Sequence, residues 1–387
     1  MGDKSSIEWT DATWNPTVGC SIVSPGCTNC YAMKMAARIE RMNPGARPYV
    51  GLTQPSKAGP VWTGLVRWSR PVVDRPLHWK RPRRIFVNSM SDLFHEDVPD
   101  DVIDQVFAIM ALAPRHTFQV LTKRAERMRD WFAERWQPAP AQRYAFGSGS
   151  VIDVPAETEG EDRHDHVLAA ANTIGQEHGL IDSEIDAHWD DKGNAVALNF
   201  AWPLPNVWLG VSAERQQEAE ERIPFLLDTP AAVRFLSAEP LLGPIELTRL
   251  AYGPGNIDAL DGYIDGTQGR GGSRTKLDWV IAGGESGPGS RPVHPDWIRG
   301  LRDQCQAASV PFFFKQWGSH QVVYDRDRDD PDWRRADEVA RKSPRGQWLN
   351  LAGGQGFHGD RVVRVVRSDK TAAGAQLDGR EHREFPS

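Results

Sequence analysis

Three of the chain's four cysteines, Cys20, Cys27 and Cys30, fall within eleven residues and are spaced C-x6-C-x2-C. Thiolates this close repel one another and oxidise when bare, so a metal is the natural reason to gather them. Three sulfurs are one short of the four donors of a structural zinc site, which would have to borrow His95, His294 or Cys305. Iron–sulfur clusters are usually held by four thiolates, so a four-iron, four-sulfur cluster on three leaves one iron open to a substrate or cofactor. Cluster, zinc and unligated thiols all stay open at this point. The isolated Cys305 reads as a small buried hydrophobe on a helix.

The loop that carries these sulfurs must be positioned by what surrounds it. Pro16, Gly19, Pro25 and Gly26 break regular structure, a strand over Ile7–Trp14 leads in, and a helix over Tyr31–Met42 leads out. After an irregular stretch, 43–82, the chain alternates short apolar strands with helical periodicity. Strands are expected at 84–88, 116–121, 206–212, 232–237, 278–282 and 310–314. Helices are expected at 100–113, 125–136, 214–227 and 295–308. Near-continuous apolar strands suit a parallel sheet covered on both faces. Polar residues gather at their C-terminal ends, where α/β barrels build active sites. The expectation is an α/β fold, a full or partial (β/α) TIM-like barrel over 1–320, with a doubly wound open sheet as competitor.

An insertion at about 137–201 interrupts this pattern, far longer than a usual βα connection, with a helix expected at 168–178. A Gly-rich stretch, 253–274, is a second, looser insertion. Residues 321–387 form a C-terminal extension packed on the barrel, with a strand at 361–366. His164-Asp-His166 reads as a solvated loop, and His95 as a surface or satisfied histidine near the barrel mouth rather than a general acid or base. Arg81–Arg84 with Trp79 is a basic, aromatic patch able to meet a phosphate backbone.

The 387 residues carry a net charge of −6, which argues against coating DNA through bulk charge. No run approaches the ~20 apolar residues of a membrane helix, and no signal peptide is expected from Met1–Ile7. Three clustered cysteines plus one isolated Cys305 make a poor disulfide framework for a chain this long and suit a reducing cytoplasm.

The cysteine loop, Asn88-Ser-Met-Ser-Asp92-Leu-Phe, Leu121-Thr-Lys-Arg124, Trp208-Leu-Gly-Val-Ser212, Ser237-Ala-Glu-Pro-Leu-Leu-Gly243, Gly283-Gly-Glu-Ser-Gly287, Phe314-Lys-Gln-Trp-Gly318 and the closing Ala373-Gly…Leu-Asp-Gly379…Glu-Phe-Pro386 resemble a family of phage and prophage proteins. This three-cysteine-motif family is catalogued as a domain of unknown function. The likeness covers nearly the whole chain outside 137–201. The motif is similar in style to radical S-adenosylmethionine (SAM) enzymes, spore photoproduct lyase above all, whose usual spacing is C-x3-C-x2-C with an aromatic before the last cysteine. Here the first gap is x6, and Asn29 precedes Cys30.

The resemblance implies a 4Fe-4S cluster on Cys20, Cys27 and Cys30, SAM on the open iron, and a 5′-deoxyadenosyl radical for hydrogen abstraction in the (host) cytoplasm. Asn88, Ser89, Ser91 and Asp92 would meet the methionine ammonium and ribose. Lys123 or Arg124 would meet the SAM carboxylate, and Ser212 and Glu214 the ribose hydroxyls. Glu239 and Glu285 would contact cofactor or substrate, or hold a neighbouring cation, which for Glu239 is Arg124 or Lys315. No catalytic residue is singled out. A nucleic acid, a nucleotide or a partner protein is the expected partner. The rival readings are a non-catalytic zinc-binding interaction module and an iron–sulfur protein that does not use SAM.

Overall fold

A computed structural model describes residues 5–45, 47–137, 142–145, 151–154, 160–180, 188–189, 195–196, 200–265, 275–356 and 361–386. Parts of the 137–201 and 253–274 stretches therefore lie outside the described residues. Seven strands form the central sheet: β1 (Ala12–Trp14), β2 (Arg84–Val87), β3 (Thr117–Thr122), β4 (Val207–Ser212), β5 (Val233–Ala238), β6 (Trp279–Ala282) and β7 (Phe312–Phe314). They pair in sequence order and all in parallel. Order that never reverses is that of a barrel wound in one direction, which removes the doubly wound competitor.

The full barrel is corrected to a partial one, because β1 and β7 do not pair. The sheet nevertheless curls. Strands three apart in a flat sheet lie about 14 Å from one another, yet the Trp9 ring meets Phe86 of β2 at 4.9 Å and Phe235 of β5 at 6.4 Å. The expected first strand over Ile7–Trp14 shortens to β1 because Trp9 turns inward to fill this concave face with Trp279, Ile281 and Phe313. The C-terminal tail spans the open side. Phe385 packs on Trp279 at 5.0 Å and Phe313 at 5.4 Å, while the Arg84 guanidinium on β2 sits 4.2 Å from its ring centre.

Among the described residues, six helices of nine or more residues surround the sheet or its mouth: α1 (Tyr31–Met42), α2 (Asp100–Leu112), α3 (Ala125–Ala133), α4 (Arg163–Glu177), α5 (Gln216–Asp228) and α6 (Pro295–Ala307). The outer face of the sheet and the apolar sides of the helices make the main core, which includes Cys305. The helix α1 instead packs on the hairpin 53–62 through Met33, Ala36, Leu52 and Trp62, a separate small core beneath the cysteine loop.

The insertion contributes α4, which begins at Arg163, five residues before the expected start. An Asp162–Asp165 capping box sets that start: Asp162 Oδ1 accepts from the His164 amide and Asp165 Oδ2 from the Asp162 amide. His164 and His166 are thus helical, stacked on Trp202 and Trp136, and not in a loop. Arg163 is 1% exposed and donates to Asp104 at 2.9 Å, to the Trp131 carbonyl at 3.0 Å and to Glu134, so one side chain ties α4 to α2 and α3. Arg163→Ala leaves Asp104 buried without its partner and should cost about 3–5 kcal/mol in urea unfolding.

Beyond β7, strands β8 (His320–Asp327), β9 (Gln347–Leu349) and β10 (Arg361–Arg367) form an antiparallel sheet in the order β8-β10-β9. Arg299 of α6 holds Asp325 of β8 at 2.5 Å and Asp378 of the tail at 2.6 Å. Hydrogen bonds from Arg299 and Arg302 bring the Asp378 carboxyl down from 3.8 to about 2. A depressed folded value adds stability above the unfolded value that disappears as pH falls through the folded one. The docking of the tail should therefore loosen between about pH 4 and pH 2, seen as increased hydrogen exchange over 376–386, and Asp378→Asn should remove that step.

Candidate metal and cofactor site

The sequence dictates the shape of the cysteine loop closely. Gly19 has φ of +94°, and a Cβ there would lie 2.0 Å from the Leu65 carbonyl oxygen. Its amide donates to Met90 and its carbonyl accepts from Ser91 Oγ at 2.6 Å, which sews the start of the loop to the end of β2. Pro25–Cys27 makes one 3-10 turn, and Cys30 stands at the N-cap of α1. A Cβ on Gly26 would meet Glu214 Oε1 at 2.0 Å, so this glycine lets the loop lie against a buried carboxylate.

Side chains then fasten the loop to opposite strand ends. Ser24 donates to Glu214 Oε1 at 2.8 Å. Asn29 Nδ2 donates to Glu285 Oε2 at 3.0 Å and to the Gly289 carbonyl at 2.9 Å. Arg291 reaches the Pro25 carbonyl at 3.1 Å, and the Tyr31 hydroxyl donates to the Ser89 carbonyl at 2.7 Å. The loop is anchored at β2, β4 and β6 together, and so lies across the mouth of the half-barrel.

Under it is a cavity of about 430 Å3. Cys20, Cys27 and Cys30 line it, as do Asn88, Ser89, Ser91, Asp92, Lys123, Arg124, Ser212, Glu239 and Glu285. Of the residues expected to bind a cofactor, Glu214 alone stands behind the lining. It is fully buried and accepts from Ser24, from Arg222 at 3.2 Å and from Lys123.

The cations are engaged within the protein. Lys123 Nζ donates to Ser212 Oγ at 2.9 Å as well as to Glu214. Arg124 donates to Asp92 at 3.1 Å, Glu96 at 3.0 Å and Ser21 at 2.6 Å, and its Nη1 lies 3.7 Å from Cys20 Sγ. Asp92 also accepts from Thr122 Oγ1 and from the amides of Lys123 and Phe94. Lys315 pairs with Glu239 at 3.1 Å. Burial pushes the Glu285 carboxyl up, but the hydrogen bonds from Arg291, followed by that from Asn29, outweigh it and leave the group below the usual range. Any anionic group entering here meets cations that already have partners.

The sulfurs are free thiols. Burial, and then the Asp92 charge, push Cys20 up to about 12 against the pull of Arg124. Cys30 is raised by burial and lowered in part by the amides of Met33 and Ala32. Ser24 Oγ lies 3.8 Å from Cys27 Sγ. Zinc bonded at 2.3 Å to sulfur brings tetrahedral ligands to about 3.8 Å apart. Cys20, Cys27 and Cys30 do not gather their sulfurs within 4.8 Å of one another. They surround the cavity without closing to a mononuclear zinc geometry.

None of the three donors considered as a fourth completes the set. His95 Nε2 lies 3.0 Å from Ser21 Oγ, and His294 caps α6 by accepting from the Asp296 amide. Cys305 is buried in the core on α6.

Asn88 has φ of +60° and accepts from the Thr17 amide through Oδ1, while its Nδ2 is buried with no hydrogen-bond partner among the described residues. The basic, aromatic patch resolves into an Arg83 guanidinium 4.9 Å from the Trp79 ring centre, with Trp79 edge-on to His116.

Sequence reasoning missed Ser24, Asn29, Arg222 and Arg291. Arg222, in α5, lies eight residues after Glu214, which precedes that helix, and Arg291 lies six after Glu285. Such spacing allows pairing but does not require it. It also missed Trp62 and Trp9 in the lining.

No curated protein and no solved structure matches the chain. The family described as "Protein of unknown function (DUF5131)" matches residues 4–386, and the chain belongs to it.

Proposed function

We propose that the protein is an iron–sulfur enzyme of the radical SAM type, with a 4Fe-4S cluster on Cys20, Cys27 and Cys30 and SAM on the remaining iron. The observation that carries this is the disposition of three free thiols around one cavity at the strand C-termini, not all within 4.8 Å of one another and with none of His95, His294 and Cys305 joining them. A cube presents its thiolate positions on separate corners and does not require the close approach of sulfurs that a single zinc does. The unpartnered Asn88 amide is a second support, since an unmade buried hydrogen bond costs about 1–3 kcal/mol and a bound polar group would recover it.

When bound, the cluster and SAM supply an electron and a carbon radical able to take a hydrogen atom from an unactivated position. The chain would hold and shield them. Arg124 places a positive charge beside Cys20, which offsets part of the burial and of the Asp92 charge that disfavour its thiolate. Asn88 and Ser89 offer an amide and a hydroxyl to the amino acid end or the ribose of SAM. Trp9, Phe86, Leu121 and Trp62 supply apolar walls that keep water from a reactive centre. A nucleotide or nucleic acid is the proposed substrate, supported by the likeness to spore photoproduct lyase and by flat aromatic walls on which a base can stack.

The test is anaerobic purification and reconstitution with iron and sulfide, then analysis of metal, spectrum and SAM products. Brown protein with about four irons and 5′-deoxyadenosine formed under reduction is the expected result. Colourless protein holding zinc would overturn it, and brown protein that leaves SAM intact would reduce it to an electron-transfer or structural cluster.

A further inference from the structure

A second group of metal-type donors lies where the insertion meets the segment leading into β2. Asp74 Oδ2 is 3.1 Å from His78 Nε2 and 4.0 Å from His178 Nε2, and one donor atom from each of the three falls within 4.8 Å of the others. The two imidazoles cross edge-on with centroids 5.8 Å apart.

Local structure explains the meeting. Asp74 and His78 are four residues apart across the single helical turn Arg75–His78 and so share a face. His178 is the C-cap residue of α4, where the helix stops and its side chain turns back. Asp74 occupies an N-cap position, the place where a carboxylate ordinarily accepts from the first turn, yet its side chain makes no capping bond. Its carboxylate is turned toward the two imidazoles instead, hydrogen-bonded to His78 and within ion-pair distance of His178. Side-chain exposures of 63% for His78, 33% for Asp74 and 28% for His178 leave a metal and a water room to enter.

We infer that Asp74, His78 and His178 form a mononuclear site for a divalent transition metal of the zinc class, with water as fourth ligand. Bonds of 2.0–2.2 Å to imidazole nitrogen and carboxylate oxygen put tetrahedral ligands about 3.3 Å apart. The 3.1 Å separation already meets this, and the 4.0 Å one closes by less than about 1 Å with a turn of a partly exposed ring. Two imidazoles and one carboxylate favour zinc or its transition-metal neighbours over magnesium or calcium, which take oxygen donors.

The role follows from the place. Arg163 anchors α4 at its N-terminal end, and a metal at His178 fixes the other end to the scaffold before β2. The site shares no donor with the cysteine loop, so either can fail without the other.

The experiment compares the full chain with a His78→Ala/His178→Ala variant, both stripped with chelator. Each is titrated with zinc chloride by calorimetry and with cobalt chloride by absorption. The double variant should lose one equivalent of metal. The cobalt signal that disappears should be weak visible bands without the intense near-ultraviolet absorption of thiolate ligation. Equal uptake by both proteins, or loss of a thiolate band, would overturn the site.

Modification of the unmutated chain with diethyl pyrocarbonate, read by mass spectrometry, covers the case of a variant that does not fold. One equivalent of zinc beyond that taken by the thiols should protect His78 and His178. Reactivity of both unchanged by zinc would show an ordinary histidine–aspartate contact.

Discussion

Cys27→Ser is expected to leave the protein without iron after reconstitution, while Cys305→Ser retains the wild-type content. Cys27 is the most enclosed of the three thiols at the mouth, 9% exposed, and serine replaces it with almost no change of volume. The fold should persist by circular dichroism, because the loop is held by Ser24, Asn29 and Arg291 and not by the sulfur. A hydroxyl does not replace a thiolate as an iron ligand. The same preparation should lose the broad visible absorption and all SAM cleavage. Iron retained in full by Cys27→Ser would remove this cysteine, and the proposed cluster with it, from the site.

The second large effect is structural. Glu214→Ala removes the carboxylate bonded to buried Arg222, takes away that of Lys123, and deprives Ser24 of its acceptor. Breaking a buried ion pair by deleting one member costs about 3–5 kcal/mol, because the other charge stays desolvated. Urea unfolding should show a loss in that range. Glu214→Gln should lose less, since an amide oxygen still accepts from Ser24. Glu285→Ala should cost less again, because the Arg291 side chain is 34% exposed and can turn to water. Limited proteolysis between Cys20 and Cys30 should accelerate in Glu214→Ala before global unfolding sets in. Equal protection of the loop in variant and wild type would show that the Ser24–Glu214 bond does not hold it.

Much of this arrangement is legible in the chain itself. The helix from Tyr31 to Met42 has the residues expected of it, because Ala32, Met33 and Ala36 recur on one face and Gly and Pro flank it. Six of the seven strands follow from short apolar runs, and their polar C-termini do meet in one cavity. Closure of the barrel was not legible, since no strand records whether the first will pair with the last. Curvature comes from which large side chains fill the concave face, and Trp9 had been assigned to a strand. The depth of Glu214 was equally hidden: a carboxylate two residues past a strand end reads the same whether it faces a ligand or lies beneath the loop. The start of α4 could have been found, because Asp162-x-x-Asp165 is a capping pattern, but the surrounding acidic run resembled a solvated loop.

The tail that spans the open side of the sheet has a consequence for biosynthesis. Phe385 and Trp9 fill one concave face from positions about 376 residues apart in sequence, so that face stays incompletely filled until Phe385 has left the ribosome. Contacts this distant in sequence make for slow, late folding. Until then the aromatic rings of β6 and β7 lack the cover of Phe385, an exposed apolar surface of the kind that makes folding intermediates prone to aggregate.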